Sequence, residues 1–374
     1  MSASAVTSPQ PALPPLHALS PNPRVQVAAG PAAISLLDAR WDVLVGRQAL
    51  PNPTLSATWL REVARWQSGT PLVVIAEEGG DLVGGAALEV RHAARHGPRL
   101  VTWLGPVAQQ FCPDILVDPE HPGAGELVLA AALGEADALT IGVSASGEAA
   151  RALHAVAPWH SAAVTGERFI VSCPPPRLEY ARKRAAYEVR RAARLGGEVT
   201  VRVAADPDDV APALVRLFRI HRDRWRDRPD ETPRFATSRA HRLWNMRTVA
   251  AMAAGGNVRI AEVIEDGRAV AGAVGFLHGT GGLAHTQAVR IGGKLRQPGH
   301  LAVLACVEAL AEAGATAVDL CYGSGEPSGP KARLGAVSEP VELVFAARTP
   351  HLQRPYLALR RVRRAVGRPR SRRS

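Results

Sequence analysis

At 374 residues and 47% hydrophobic content, the chain has material for two domains of ordinary size. No apolar run reaches the roughly 18 residues that a membrane-spanning helix needs, and no basic stretch followed by an apolar one marks a secretory leader. The formal charge is +11, but eight arginines and no acid fall in residues 360–374, which leaves +3 for the body. Such a tail suits solubility, an anionic membrane surface or nucleic acid without sequence preference. Cys112, Cys173, Cys306 and Cys321 are scattered with no C-x-x-C pair, so no metal is expected and a reducing cytoplasm fits, with the Arg-rich tail allowing contact with the inner face of a membrane.

Residues 1–30 are rich in Pro, Ala and Ser with one charge, Arg24, and read as a disordered tail. Thr54–Trp66 reads as a helix. Residues 71–90 read as two strands around Gly79-Gly80-Asp81. Residues 99–105 and 114–118 follow as strands, 125–135 as an apolar helix and 138–144 as a further strand. Asp and Pro signals open a helix over 206–225, and Ser238–Ala254 is another. Residues 258–279 form a hairpin about Asp266-Gly267, and 283–290 a third strand. A loop over 291–299 leads into a helix to Gly314 and a strand over 316–322, whose helix buries Cys306.

The order of elements repeats. Residues 121–143 and 297–322 both set Pro-Gly before an Ala/Leu helix that runs into a strand. Pro-Gly before a helix is common turn chemistry, but within the same order of strands and helices it points to a duplicated unit. The expected division is a tail over 1–30, a first domain over 31–165, a second over 166–350 and an Arg-rich tail over 351–374.

Only three of the 45 basic residues are lysines: Lys183, Lys294 and Lys331. In so arginine-biased a composition a lysine is a candidate for a role that a planar guanidinium cannot fill. Lys294 stands in the turn before a helix, with Arg296, Gln297, Gly299 and His300. A helix N-terminus offers unpaired N–H groups and a positive dipole end, which suits a pyrophosphate. Lys331 follows a Gly- and Ser-rich loop after the last strand of the second half, where it can hold an anion or stabilise an oxyanion. Lys183 belongs to a basic helix face with Arg177, Arg182, Arg184, Arg190, Arg191 and Arg194.

These pieces resemble the GNAT acyltransferase superfamily over residues 31–347, and more narrowly its CelD-like tandem branch of cellulose-biosynthesis-type acetyltransferases, which is related to FemABX. YARKRAAYEVRRAARL (180–195) resembles the family's basic helix. LFRIHRDRW (217–225) resembles its helix with a His and a Trp, RQPGHLA (296–302) its CoA loop, and LCYGSGEPSGPKARLG (320–335) its strand, glycine loop and lysine. Leu301 stands where a small residue is usual, and Pro330 where an aromatic usually precedes the lysine.

The resemblance implies an α/β protein of two tandem GNAT-like domains, each a mixed, mostly antiparallel sheet flanked by helices. It implies acyl transfer from acetyl-CoA or another acyl-CoA to an amine or hydroxyl on a small molecule, saccharide or cell-envelope precursor. Lys294, Arg296, Gln297, Gly299 and His300 would hold the cofactor. His285, Asp319 and Lys331 would serve catalysis, and His221, Trp225 and Tyr322 the acceptor. His285, Asp319 and His221 all remain open as the base. Two alternatives stand beside this reading: a FemABX-like transferase using aminoacyl-tRNA, and a degenerate GNAT that only binds.

Overall fold

Left-handed turn residues set the two hairpins around which the sheet is built. Gly79 and Gly80 have φ of 60° and 97°, and Asp266 and Gly267 have φ of 50° and 73°. The computed structural model describes residues 23–92, 97–105, 113–157, 159–226, 239–290, 292–323 and 330–349. The Arg-rich tail, Cys112 and the glycine-rich segment 324–329 lie outside them.

The strands are β1 (Arg24–Ala29), β2 (Thr70–Glu78), β3 (Asp81–His92), β4 (Arg99–Trp103), β5 (Leu116–Val117), β6 (Ala138–Ser144), β7 (Trp159–Ser172), β8 (Val199–Ala204), β9 (Val258–Glu265), β10 (Arg268–His278), β11 (Gly281–Val289), β12 (Ala317–Gly323) and β13 (Val337–Ala347). The helices are α1 (Pro31–Ser35), α2 (Ala39–Gly46), α3 (Ala57–Ala64), α4 (Ala124–Gly134), α5 (Glu148–Val156), α6 (Leu178–Arg194), α7 (Pro207–Trp225), α8 (Arg239–Ala254), α9 (Pro298–Glu312) and α10 (Pro330–Arg333). Local signals start several of them. Asp38 and Ser56 accept backbone N–H bonds as N-caps of α2 and α3, and Pro207, Asp208 and Asp209 occupy the first turn of α7.

The strands form one mixed sheet in the order β1-β2-β3-β4-β6-β13-β7-β12-β11-β10-β9-β8, with β5 beside β3. Every pairing is antiparallel except β4 with β6 and β11 with β12. The order is a palindrome: each half contributes four strands that zigzag inward to a parallel fifth. The centre is exchanged. β7 leaves the first half to pair with β12, and β13, late in the chain, pairs with β6. The position 165/166 thus falls inside β7. Arg24–Ala29, within the segment read as a tail, is β1 and runs antiparallel to β2; backbone pairing to an exposed sheet edge needs no apolar side chains.

On one face of the sheet a single core joins the halves. Trp59 of α3 stands edge-on to Trp244 of α8 at 5.9 Å and to Phe276 of β10 at 5.0 Å. The other face carries two separate cores, one under α4 and α5, the other under α6 and α9. Cys306 is fully buried in the latter, where burial pushes its thiol up to about 12, in keeping with a packing role.

Candidate functional site

Parallel strands hold together only while their pairing continues. β11 and β12 pair at Gly281, Gly282 and Leu283 with Ala317, Val318 and Asp319, and then part. Two irregularities open the gap. The register of β10 against β11 shifts between Val274 and Gly275, which makes His285 a bulge residue, and β12 shifts against β7 between Asp319 and Tyr322. At the second shift Cys321 adopts φ 62°, which L-residues with a side chain rarely adopt. Its backbone N–H donates to the Asp319 Oδ1 at 2.7 Å, and its thiol to the Ala284 carbonyl at 3.3 Å across the gap.

Lys331 holds this kink from below. Its Nζ donates to the carbonyls of Cys321 (2.8 Å) and Tyr322 (3.2 Å) and lies 4.9 Å from the centre of the Phe169 ring. Asp319, 2% exposed, is paired with Arg168 at 2.7 Å. Tyr322 lies over Gly166, and its hydroxyl donates to the Thr165 carbonyl. The structure brings Asp319, Tyr322 and Lys331 together at the end of β12, beside Cys321, Ala284 and Arg168, which sequence reasoning did not single out.

The turn before α9 is pinned by carboxylates of the protein itself. The amides of Leu295 and Arg296 donate to Glu265 Oε1 (2.7 Å) and to Glu188 Oε2 (3.1 Å). Lys294 donates to Asp266 Oδ2 at 2.8 Å and to the Gly196 carbonyl at 2.9 Å. The Arg296 side chain is exposed. Gln297, the N-cap, uses its side-chain oxygen to accept from Arg333 of α10, so no side chain caps α9, and this bond ties the turn to Lys331's helix. Gly299 is needed for packing: a Cβ there would stand 2.7 Å from Val289 Cγ2. His300 points inward, 1% exposed, toward Ala181 and Glu188 of α6 rather than into the turn; burial is the main reason its pKa is lowered.

The remaining candidates lie apart from that turn. His285 belongs to the face shared by the halves, among Trp59 (6.4 Å) and Phe276 (6.1 Å), and burial pushes its imidazole down to about 3. His221, 7% exposed on α7, is lowered to about 4, by burial first and Arg224 second. Its ring centre is 6.4 Å from that of Trp225, one helical turn on. Both imidazoles are neutral near pH 7 but too weakly basic to be efficient general bases. Among the described residues no group of three or more His, Cys, Asp or Glu could hold a metal, and no helix is long and apolar enough to cross a membrane.

Comparison with known proteins gives one family match and several similar folds. Residues 180–326 match the family model "Acetyltransferase (GNAT) domain". A search of curated proteins gives no match. The chain is similar to the crystal structure of FemX at 13% identity, covering 84% of this chain and 96% of that one, with a TM-score of 0.60. It is also similar to the C-terminal domain (DUF2156) of a candidate lysylphosphatidylglycerol synthetase from Agrobacterium fabrum, at 15% identity, 88% and 97% coverage and a TM-score of 0.55. A tandem GNAT protein from the clavulanic acid biosynthesis pathway matches at 16% identity, 85% and 98% coverage and a TM-score of 0.49. The first two likenesses establish a shared fold across nearly the whole chain. The chain therefore carries a GNAT-type acyltransferase domain across residues 180–326, within a fold shared with FemX.

Proposed function

We propose that the second half of the chain carries the chemistry, and that it transfers an acyl group from acyl-CoA to an amine or hydroxyl on a small-molecule, saccharide or cell-envelope precursor. The carrying observation is the parting of β11 and β12 beyond Leu283 and Asp319, beside a helix start that no side chain caps. A strand edge freed in this way offers backbone N–H groups to the acyl carbonyl. The first turn of α9 offers N–H groups and a positive dipole end to phosphates. Lys331 acts as a positioning residue: by holding the Cys321 and Tyr322 carbonyls it keeps β12 turned away from β11. The nucleophile attacks the thioester carbonyl, the C–S bond breaks, and CoA leaves as the thiolate, which takes up a proton from solvent. With His285 and His221 weakly basic and Asp319 engaged by Arg168, the rate rests on positioning, and the acceptor proton passes to solvent.

One observation favours a second donor. Glu265 and Glu188 occupy the amides of Leu295 and Arg296 and bring negative charge toward the place of a pyrophosphate. Next to it α6 presents a stripe of exposed Tyr180, Lys183, Tyr187, Arg190 and Arg194. Phosphate contacts and stacking on such a stripe suit an aminoacyl-tRNA, whose ester carbonyl would take the same place in the gap. Calorimetric titration of the full chain with acetyl-CoA and longer acyl-CoAs separates the two. Saturable binding supports the first reading. No binding, together with a tRNA gel shift that weakens in Lys183→Glu/Arg190→Glu, supports the second.

A further inference from the structure

The C-terminal ends of β6 and β12 run toward each other and meet over the middle of the sheet. Ser144, the last residue of β6, stands opposite Val341 of β13, and Val341 opposite Gly166 of β7. Gly323, the last residue of β12, stands opposite the neighbouring Glu167. Residues directly opposite each other share a face, and alternate residues of a strand share it too. Ser144, Glu339, Arg168 and Asp319 therefore lie on one face, the face whose core joins the halves through Leu283 opposite Asp319.

The charges in this row do not cancel. Arg168 pairs with Asp319. Glu339 stands opposite Arg168 in register, yet its carboxylate forms no ion pair with a described residue; its Oε2 accepts from the Ser144 hydroxyl at 3.0 Å. Segments 106–112 and 324–329, which follow β4 and β12 outside the described residues, contain no lysine or arginine. Beside Glu339 an aromatic ring is held in place. The Tyr322 ring covers Gly166, where any Cβ would collide with it, and its hydroxyl donates to the Thr165 carbonyl. The side chain is nevertheless 40% exposed. Gly166 and Glu339 are diagonal neighbours across β7 and β13, roughly 7–8 Å apart, so ring and carboxylate flank one space. A ring face attracts a cation through its quadrupole, and a carboxylate oxygen gives an ammonium a charge-assisted hydrogen bond. An anionic group is repelled there.

We propose that Glu339 and the Tyr322 ring form an anchoring subsite for an ammonium group of the acceptor, one that is not itself acylated. The sheet supplies an internal contrast. Across the central Val341–Gly166 pair, the counterpart of Glu339 opposite Arg168 is Leu343 opposite Ala163, which carries no charge. The subsite thus belongs to the side of the half whose gap is open. Two strand spacings of about 4.8 Å separate Glu339 from Tyr322, which puts an ammonium between them roughly 5–10 Å from the edge of the gap. The acceptor class that fits is an amine with a second nucleophilic group that far away, as in a diamine or an amino alcohol. The place of the reacting end rests on the acyl-transfer reading; the binding of the ammonium does not.

The test titrates the full chain calorimetrically with 1,5-diaminopentane beside the neutral 1,5-pentanediol. The diamine is expected to bind saturably and roughly tenfold or more tighter than the diol. Glu339→Gln, which keeps an oxygen for the Ser144 hydroxyl, is expected to weaken the diamine by roughly tenfold or more. Tyr322→Leu is expected to weaken it a few-fold, about 3–5. Melting curves show whether both variants stay folded; if Glu339→Gln does not, Tyr322→Leu must show the loss on its own. Equal affinity for the diol, no binding of the diamine, or diamine binding unchanged in either folded variant overturns the proposal. No transfer is read. A failure here therefore leaves the acyl-CoA titration standing, and a failure of donor binding there leaves this subsite standing.

Discussion

The two halves of the sheet reach the same junction and treat it differently. In the first half, Asp137 N–H donates to the Arg99 carbonyl, and β4 pairs with β6 at Leu100–Ala138 and Val101–Leu139 before parting. In the second, Thr316 N–H donates to the Thr280 carbonyl, and β11 pairs with β12 at Gly281–Ala317 and Gly282–Val318. Counting onward from these matched pairs, Trp103 corresponds to Ala284 and Gly142 to Cys321. The Trp103 indole N–H crosses its gap to the Gly142 carbonyl at 2.7 Å, with the side chain 1% exposed. In the second half the same two positions are joined by a thiol bonded to the Ala284 carbonyl. One copy of the duplicated unit is closed by a large side chain, and the other has a methyl in its place. The same architecture occurs twice, and on the proposed function the residue at this one position would decide which copy can take a donor.

Installing the closing side chain in the open half should have the largest effect. Ala284→Trp is expected to lower transfer by roughly 100-fold or more and to abolish donor binding, at a stability cost of about 1–3 kcal/mol from overpacking. Calorimetry with the donor and a melting curve check both. The reverse change, Trp103→Ala, should cost about 3–5 kcal/mol in denaturant unfolding while leaving transfer per folded molecule unchanged. Loss of activity there would mean that the first half is also a working site.

A smaller contrast lies on the outer strands. Glu262 of β9 corresponds to the fully buried Ile75 of β2 when the two hairpins are aligned. Burial alone would raise the Glu262 carboxyl, but hydrogen bonds from Arg216 and Arg202 outweigh it and hold the group below its ordinary value. Its contribution is therefore complete above the unfolded carboxylate pKa, near 4.5, and is lost as pH falls through the lower native value. Glu262→Gln is expected to cost about 1–3 kcal/mol at neutral pH, with a smaller loss in acid, as read from denaturant midpoints across pH.

Lys331→Arg should lower transfer a few-fold, about 3–10, because a planar fork cannot converge on two adjacent carbonyls as an ammonium does. Equal activity of the Arg variant would reduce Lys331 to a surface charge. At neutral pH the smallest expected effect is at His285, which corresponds to Leu104. The native state keeps this imidazole neutral down to about pH 3, whereas the unfolded chain protonates near 6.5. Stability is therefore lost as pH falls from about 6.5 toward 3, and His285→Leu should flatten that slope by up to about one bound proton.

The strongest signals in the sequence are local. The hairpins at Gly79-Gly80 and Asp266-Gly267 and the starts of α7 and α9 can be read because turn and capping chemistry sits within a few residues. β7 and β13 cannot be read this way. Their partners are remote in sequence, and β7, WHSAAVTGERFIVS, has little alternation to reveal it. The scarcity of lysine does point to two engaged residues, since Lys294 and Lys331 each donate to more than one oxygen. It does not distinguish holding the protein from holding a ligand. Cys321 gives no sign at all, because cysteine has no tendency toward left-handed backbone. The bonds from Glu188 and Glu265 to the loop need the tertiary fold before they exist.

The exchange of β7 and β13 also bears on how the chain is made. As it emerges from the ribosome, β6 has its other partner, β4, early, but the strand that covers its free edge, Val337–Ala347, is synthesised near the end. Until then the nascent first half exposes an unpaired edge of seven residues, six of them buried in the finished protein. Its final closure depends on contacts that span most of the polypeptide, which slows folding and lengthens the time a chaperone must guard that edge.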